Sequence, residues 1–377
     1  MQIGSVTLDS PFALAPMAGM TDTAFRRLVK RRGGCGLVVT EMVSSEGLVR
    51  GIDRTLEYAE YTEEERPVSI QIFGGDPGRM AEAAQIVEGM GADVIDVNMG
   101  CPVPKIAKHQ AGCSLMRTPE HAAAVVRAMT RAVSIPVTVK MRAGWDDTHV
   151  NAPDVAGLME DAGAAAVAVH GRTAAQSYRG QSDWGLIDEV ARGVSIPVLG
   201  SGDCVTPEDL VERLRETAVA GVLVGRGALR NPWIFEQAHV LSRGGAPRPV
   251  AEPERGLFLL AYIDLLLFEG TAEAEGFRHS ATVDSKAGPT RRSARCRDRW
   301  VVNKLRSLGS WYTKGIDNGS GLRVAINHAG SLDELRAIIR DFFQVADGAE
   351  LETSPAAPAV SADSSDARAA HRDLPVS

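Results

Sequence analysis

The chain has 377 residues, 44% hydrophobic and 24% charged, with a formal net charge of −7. This is an ordinary globular mixture, long enough for one large domain and a smaller one, and it excludes a polycation that grips nucleic acid over its whole surface. Five cysteines without a C-x-x-C pair argue against a zinc site or a disulfide framework. No apolar run reaches the ~18 residues of a membrane span, and no basic-then-apolar leader opens the chain, so a cytoplasmic protein without membrane or metal is expected.

Short apolar runs recur through the first 230 or so positions, at 12–17, 37–42, 68–73, 94–98, 136–141, 166–170, 197–200 and 221–224. Each is too apolar to alternate, as befits strands buried on both faces. Helical stretches fill the gaps. Asp76-Pro77, Thr118-Pro119 and Thr206-Pro207 each place a capping residue before a proline at the first helical position. Strand then helix, repeated this often, predicts an α/β fold, a (β/α)8 TIM barrel over 1–241. A doubly wound sheet is the alternative. The Gly/Pro-containing stretch 242–255 reads as a linker. Beyond it, 256–346 predicts a small helical domain, with helical patterns at 257–268, around 300–312 and at 331–345. The last opens on the capping box Ser331…Glu334. Within this domain 269–299 reads as a loop-like basic insertion. Composition predicts a disordered tail at 347–377.

In such a barrel the chemistry gathers at the C-terminal strand ends. The fourth run closes on Asn98-Met99-Gly100-Cys101-Pro102. Gly100 lets the backbone turn and Pro102 stops the ladder, which leaves an amide and a thiol at the mouth. A neutral thiol, with an ordinary pKa of about 8.5, can act as a general acid. A nucleophilic role needs a base, for which His109 and His170 are available. Cys113 and Cys204 lie near the same rim and rival Cys101 on position. The first run ends in Pro16-Met17-Ala18, and the third carries Gln71. The fifth carries Lys140 and Arg142, two apart and so on one face. The sixth ends in His170-Gly171-Arg172. Ser201-Gly202-Asp203 and Gly225-Arg226 follow the seventh and eighth runs, where glycine-rich turns let backbone N–H groups approach a phosphate. Lys140, among apolar neighbours, calls for an anion. The edge of a flavin that becomes anionic on reduction is one candidate, a structural ion pair the other. No Rossmann fingerprint is present, so a nicotinamide donor has to visit the same mouth. Between Lys286 and Arg306 stand eight basic residues and one acid, with Trp300, Trp311 and Tyr312 nearby. That local reversal of sign suits a phosphate backbone.

Together Pro16-Met17-Ala18 with Thr21-Asp22, Asn98–Pro102 with Lys105, Val139-Lys140-Met141-Arg142, His170-Gly171-Arg172-Thr173 and Gly225-Arg226-Gly227-Ala228 resemble the tRNA-dihydrouridine synthases, most closely the bacterial B-type subgroup. The resemblance covers roughly residues 10–240 strongly. It extends more weakly to the helical domain through Trp311-Tyr312-x-Lys314-Gly315 and Leu322-Arg323-x-x-Ile326-Asn327. It implies an FMN enzyme that reduces the C5=C6 bond of particular uridines in tRNA, with NADPH or NADH as electron source. It further implies that Cys101 protonates C5. Pro16, Met17, Ala18, Gln71, Lys140 and His170 would surround the isoalloxazine. Ser201, Gly202, Asp203, Gly225 and Arg226 would hold its phosphate, and Asn98, Arg142 and Arg172 would face the uracil or the flavin edge. The expected partner is tRNA and the expected state a monomer. Two features depart from the family pattern: Ser201 stands where asparagine is usual, and 269–299 is longer and richer in arginine. An FMN barrel acting on a free pyrimidine, and a non-catalytic RNA-binding barrel, are the competing readings.

Overall fold

The structure, a computed structural model, describes residues 1–107, 110–268, 273–281 and 294–351, without the side chains of Arg54 and residues 294–296. Eight strands form the centre: β1 (Phe12–Leu14), β2 (Leu37–Val39), β3 (Val68–Phe73), β4 (Val94–Met99), β5 (Val137–Arg142), β6 (Ala166–His170), β7 (Val198–Ser201) and β8 (Gly221–Val224). All neighbours pair in parallel. The ring closes through Val222 of β8 beside Phe12 of β1 and Val38 of β2 beside Val68 of β3. The sheet is therefore a closed barrel, not a doubly wound sheet. A hairpin, Gln2–Ile3 with Val6–Thr7, places Ile3 at its base.

The strand pleat sorts the side chains. Phe12 and Leu14 face the helices, while Ala13 joins Leu37, Val39, Ala166, Ala168, Leu199 and Leu223 inside the barrel. Strands β3 to β5 break that apolar lining. They turn Ser69 and Gln71, Asp96 and Asn98, and Thr138, Lys140 and Arg142 along inward rows two residues apart. The interior thus has an apolar side and a polar side, and the polar side leads up to the mouth.

Helix starts follow their caps. Asp76 Oδ1 accepts from the Arg79 N–H at 2.8 Å, and Thr206 forms a capping box with Asp209. Thr118 makes no such bond: a 3-10 turn, Gly112–Arg117, runs straight into its helix and takes the Thr118 N–H instead.

After the barrel come α2 (Glu252–Phe268), α3 (Ala294–Tyr312), α4 (Gly319–His328) and α5 (Leu332–Phe343), where α1 denotes the first barrel helix, Thr23–Arg32. Helix α2 begins inside the stretch expected to be a linker. Its Glu254 accepts from Trp233 Nε1 at 2.8 Å and pairs with Arg248 and Arg32. Helix α4 lies between the helical patterns expected at 300–312 and 331–345, where the sequence suggested none. Asn318 turns, in the left-handed region, as the N-cap of α4. Of the expected basic insertion, 273–281 and 294–299 are described, and the latter are not loop but the first turns of α3. The short strand Arg278–His279 pairs antiparallel with Tyr61–Thr62, and His279 stacks on Tyr61 at 4.6 Å. Lys286, Arg291 and Arg292, and the tail from 352 onward, lie outside the described residues.

The helical region shares the barrel's outer core. Phe258 packs on Phe25 at 6.1 Å and on Tyr312 at 5.9 Å, and Tyr262 donates to Asp22 at 2.7 Å. Lys304, counted above among RNA-facing cations, is turned inward. Its ammonium lies 2.8 Å from Asp22 and 3.7 Å from Glu41, and donates to the Gly19 carbonyl at 3.0 Å. Replacing it by methionine strands the buried Glu41 and takes the cation from the half-buried Asp22. Lys304→Met is therefore expected to cost about 3 kcal/mol in urea denaturation. A loss below about 1 kcal/mol would show that this pair does not fasten the two parts. Among the described residues no helix is long and apolar enough to cross a membrane.

Candidate active site

The mouth of the barrel holds a cleft with about 600 Å³ of empty space. Pro16, Met17, Lys140, His170, Ser201, Gly202, Asp203, Gly225 and Arg226 line it, so the expected cofactor residues other than Ala18 and Gln71 come together there. Gly202 has φ +127°, and a Cβ on it would sit 2.2 Å from Ser182 Oγ. A Cβ on Gly225 would sit 3.4 Å from Met17 Sδ, in the gap between the ends of β1 and β8. Gly202 is thus required by close packing against Ser182, while Gly225 leaves the backbone bare beside Met17.

The charges in the cleft are arranged in space. Burial, joined by the charge of Arg142, draws the Lys140 ammonium down to about 8. Burial and four surrounding cations, Lys140 first, hold His170 neutral, well below its usual range. Asp203, with φ +54°, places a carboxylate in the same turn. Burial works against its charge, but Arg172 holds it below the ordinary carboxylate range through contacts of 2.7 and 2.6 Å. The Ser182 N–H donates to it at 2.8 Å, and Arg226 stands 3.6 Å away, its guanidinium stacked over Tyr178 at 4.5 Å. Phosphate would fit beside Arg226 because Arg172 already neutralises the one carboxylate there. Lys140 at the far end suits an anionic ring edge. The donor set therefore fits FMN.

The Cys101 turn follows from β4, where Asn98 pairs in register with Lys140 of the cleft. Asn98 Oδ1 accepts from the Cys101 N–H at 3.0 Å and the Gly100 N–H at 3.2 Å. Arg142 Nε donates to the Gly100 carbonyl at 2.8 Å, and the Cys113 N–H donates to the Cys101 carbonyl at 3.0 Å. Gly112 packs under the turn, where a Cβ would lie 2.7 Å from the Cys101 carbonyl oxygen. Cys101 is partly exposed, whereas Cys113 and Cys204 are buried. Burial pushes the Cys113 thiol up to about 11 and the Cys204 thiol up to about 12. His109 lies outside the described residues.

Three residues expected near the uracil are otherwise engaged. Arg142 also donates to the Thr173 carbonyl at 3.1 Å and the Ser177 carbonyl at 3.2 Å. Arg172, besides Asp203, donates to the carbonyls of Arg179 at 3.1 Å and Gly180 at 2.7 Å. Asn98 donates to Gln71 Oε1 at 2.7 Å. Gln71 in turn donates to Asp96 Oδ2 at 2.6 Å, which explains why it does not line the cleft. Sequence reasoning missed Tyr178, Ser182, Asp96, Thr138 and Glu41. Asp96 and Thr138 were findable, each lying two residues before a residue already singled out on its strand. Tyr178 and Ser182 reach the site from a long loop, for which periodicity gives no signal. A second, larger opening, with about 1450 Å³ of empty space, lies among Met42, Phe73, Val103, Lys105 and Ile106. Among the described residues no cluster of three or more histidine, cysteine or carboxylate side chains is placed to hold a metal.

Comparison with known proteins agrees with this geometry. The family described as Dihydrouridine synthase (Dus) matches residues 13–273. The chain is 42% identical over 345 residues to the tRNA-dihydrouridine synthase B of Pseudomonas aeruginosa, covering 91% of this chain and 96% of that one. It is 37% identical over 345 residues to the tRNA-dihydrouridine synthase B of Xanthomonas campestris pv. campestris, with the same coverage. A probable tRNA-dihydrouridine synthase of Rhodobacter capsulatus is 44% identical over 239 residues, or 63% of this chain and 73% of its own. With a match running from β1 through the barrel and into the helical region, and relatives aligned almost end to end, the chain belongs to the dihydrouridine synthase family.

Proposed function

We propose that the chain reduces the C5=C6 bond of uridine in tRNA, holding FMN in the cleft and using NADPH or NADH as electron source, with Cys101 as the proton donor. The observation that supports this reading is the link through Lys140: it lines the cleft together with both glycine turns, it pairs in register with Asn98 at the start of the Cys101 turn, and Cys101 is the one cysteine not buried among Cys35, Cys101, Cys113 and Cys204. FMN, when bound, supplies the hydride that goes to C6.

The chain's residues do the rest. Lys140 meets the anionic edge of the ring, and that anion favours its charged form. Neutral His170 adds no repulsion between Lys140 and Arg226. The turns at Gly202 and Gly225 let backbone approach the phosphate, and Arg226 adds charge. The Cys101 thiol donates its proton to C5. The target uridine leaves its stack to reach the mouth. The helical region holds the tRNA, and the enzyme works as a cytoplasmic monomer. Lys314 supports the RNA side of this reading. Desolvation first, then the charges of Arg230, Arg323 and Arg226, hold it below its usual range. A phosphate backbone relieves such crowding of like charge.

The test has two parts. The purified protein is expected to be yellow, and tRNA from a strain lacking the gene is expected to lose dihydrouridine at a defined position. A colourless protein, or tRNA with an unchanged dihydrouridine map, overturns the proposal.

A further inference from the structure

The reading above uses Cys101 and Asn98 but gives no task to the carboxylate two positions earlier. Asp96 is 5% exposed, on the inner face of β4, and does not line the cleft. Thr138 Oγ donates to its Oδ1 at 2.7 Å, and Gln71 Nε2 donates to its Oδ2 at 2.6 Å. Burial raises its pKa; the Gln71 and Thr138 bonds and the charge of Lys140 pull the other way.

Both oxygens of Asp96 act as acceptors here, one from Gln71 and one from Thr138. Asp96 therefore decides which end of the Gln71 amide faces it, and turns Oε1 toward Asn98. That oxygen takes the Asn98 amino group at 2.7 Å. Asn98 is then left with its oxygen pointing at the N–H groups of Gly100 and Cys101. Backbone N–H groups only donate, so they demand the same orientation from the opposite end. The row Asp96–Gln71–Asn98–Cys101 thus has one polarity, set at one end by two backbone N–H groups and at the other by an acceptor. An amide of the same volume in place of Asp96 fills the space as well but leaves Gln71 free to flip.

We propose that Asp96 is a positioning residue, which acts through the Gln71 and Asn98 amides to fix the turn that aims Cys101. Its catalytic consequence rests on Cys101 being the proton donor; its structural consequence does not.

The experiment follows peptide-resolved alkylation of Cys101 by iodoacetamide in the full-length protein as purified, with rates taken from the high-pH plateau so that thiol ionisation drops out. Asp96→Asn is expected to speed alkylation of Cys101 about fivefold, the effect of loosening one hydrogen bond. Asn98→Asp is expected to do the same, because two acceptors then face each other across Gln71 Oε1. The double variant, Asp96→Asn with Asn98→Asp, reverses both bonds of the Gln71 amide and still offers the Cys101 N–H an acceptor. Its rate is expected to return to within about twofold of the native chain, since each bond is again made. Unchanged rates in the single variants, or no recovery in the double, overturn the proposal. Should Asp96→Asn not fold, Asn98→Asp and the double variant carry the comparison. In tRNA turnover, Asp96→Asn is expected to lower kcat about tenfold through misplacement of the acid, with KM for NADPH unchanged; a rise in KM alone counts against it. If the native chain does not act on tRNA, the functional reading fails while the alkylation rates still decide the role of Asp96.

Discussion

Cys101→Ala is expected to leave a yellow protein that no longer makes dihydrouridine. The substitution removes one sulfur from a turn whose backbone is held by Asn98, Arg142 and Cys113, so the turn itself stays in place. Nothing in the cleft that suits FMN is touched. Loss of a positioned general acid costs ~10²–10⁴ in rate, and a fall of about 10³ in tRNA turnover is expected. Reduction of the flavin by NADPH, followed as bleaching of its visible band, is expected to proceed within about twofold of the native rate, because proton donation to C5 belongs to the other half of the cycle. Neither Cys113 nor Cys204 can substitute, being buried and thereby pushed to about 11 and about 12. Turnover surviving in the variant would assign the proton to a different group.

Lys140→Met is expected to separate stability from function. Among the described residues the Lys140 ammonium has no ion-pair or hydrogen-bond partner, and burial draws it from 10.5 down to about 8. The folded chain therefore binds fewer protons than the unfolded chain between about pH 8 and 10.5. Stability rises with pH across that window, and the full cost of the buried charge is present below it. At 1.36 kcal/mol per pKa unit, discounted because the side chain is partly exposed, the cost is about 2 kcal/mol. The flavin-free variant is expected to be more stable than the native chain by that amount at pH 7, with the gain fading toward pH 10. Its flavin reduction is expected to slow about 10²-fold, because the cation facing the anionic ring edge is gone. Urea denaturation at pH 7 and pH 10 checks the first half; equal or lower stability at pH 7 would sink it.

Much of the barrel was legible because its strands are buried on both faces. The runs at 68–73, 94–98 and 166–170 are apolar for that reason, and all three are strands here. Glycine turns and lone polar residues at strand ends then marked the cleft. What the sequence hid was the engagement of charges by distant partners. Lys304 reads as part of a basic patch until Asp22 and Glu41, far earlier in the chain, are seen beside it. Arg172 reads as a substrate residue until Asp203 takes its guanidinium. Asp96 was passed over as one polar residue in an apolar strand, since its partners Gln71 and Thr138 lie on other strands. The rivalry among Cys101, Cys113 and Cys204 could not be settled from spacing, because burial depends on what packs above each thiol. Helix α4 was missed for a local reason: its opening residues favour turns, and only packing against α3 and α5 makes a helix there.

The fastening of the helical region to α1 also bears on inheritance. Lys304 neutralises the residue that caps α1, and Phe258 and Tyr262 pack on Phe25 of that helix. A gene truncated after the barrel would leave these contacts open, with Asp22 and Glu41 stripped of their cation and Phe25 uncovered. Recombination that exchanged the helical region between relatives would meet the same mismatch unless α1 travelled with it. Exchanges that keep Asp22, α1 and Glu41 with their own helical region are therefore expected to be tolerated, whereas a single cut at the apparent joint near residue 245 is not.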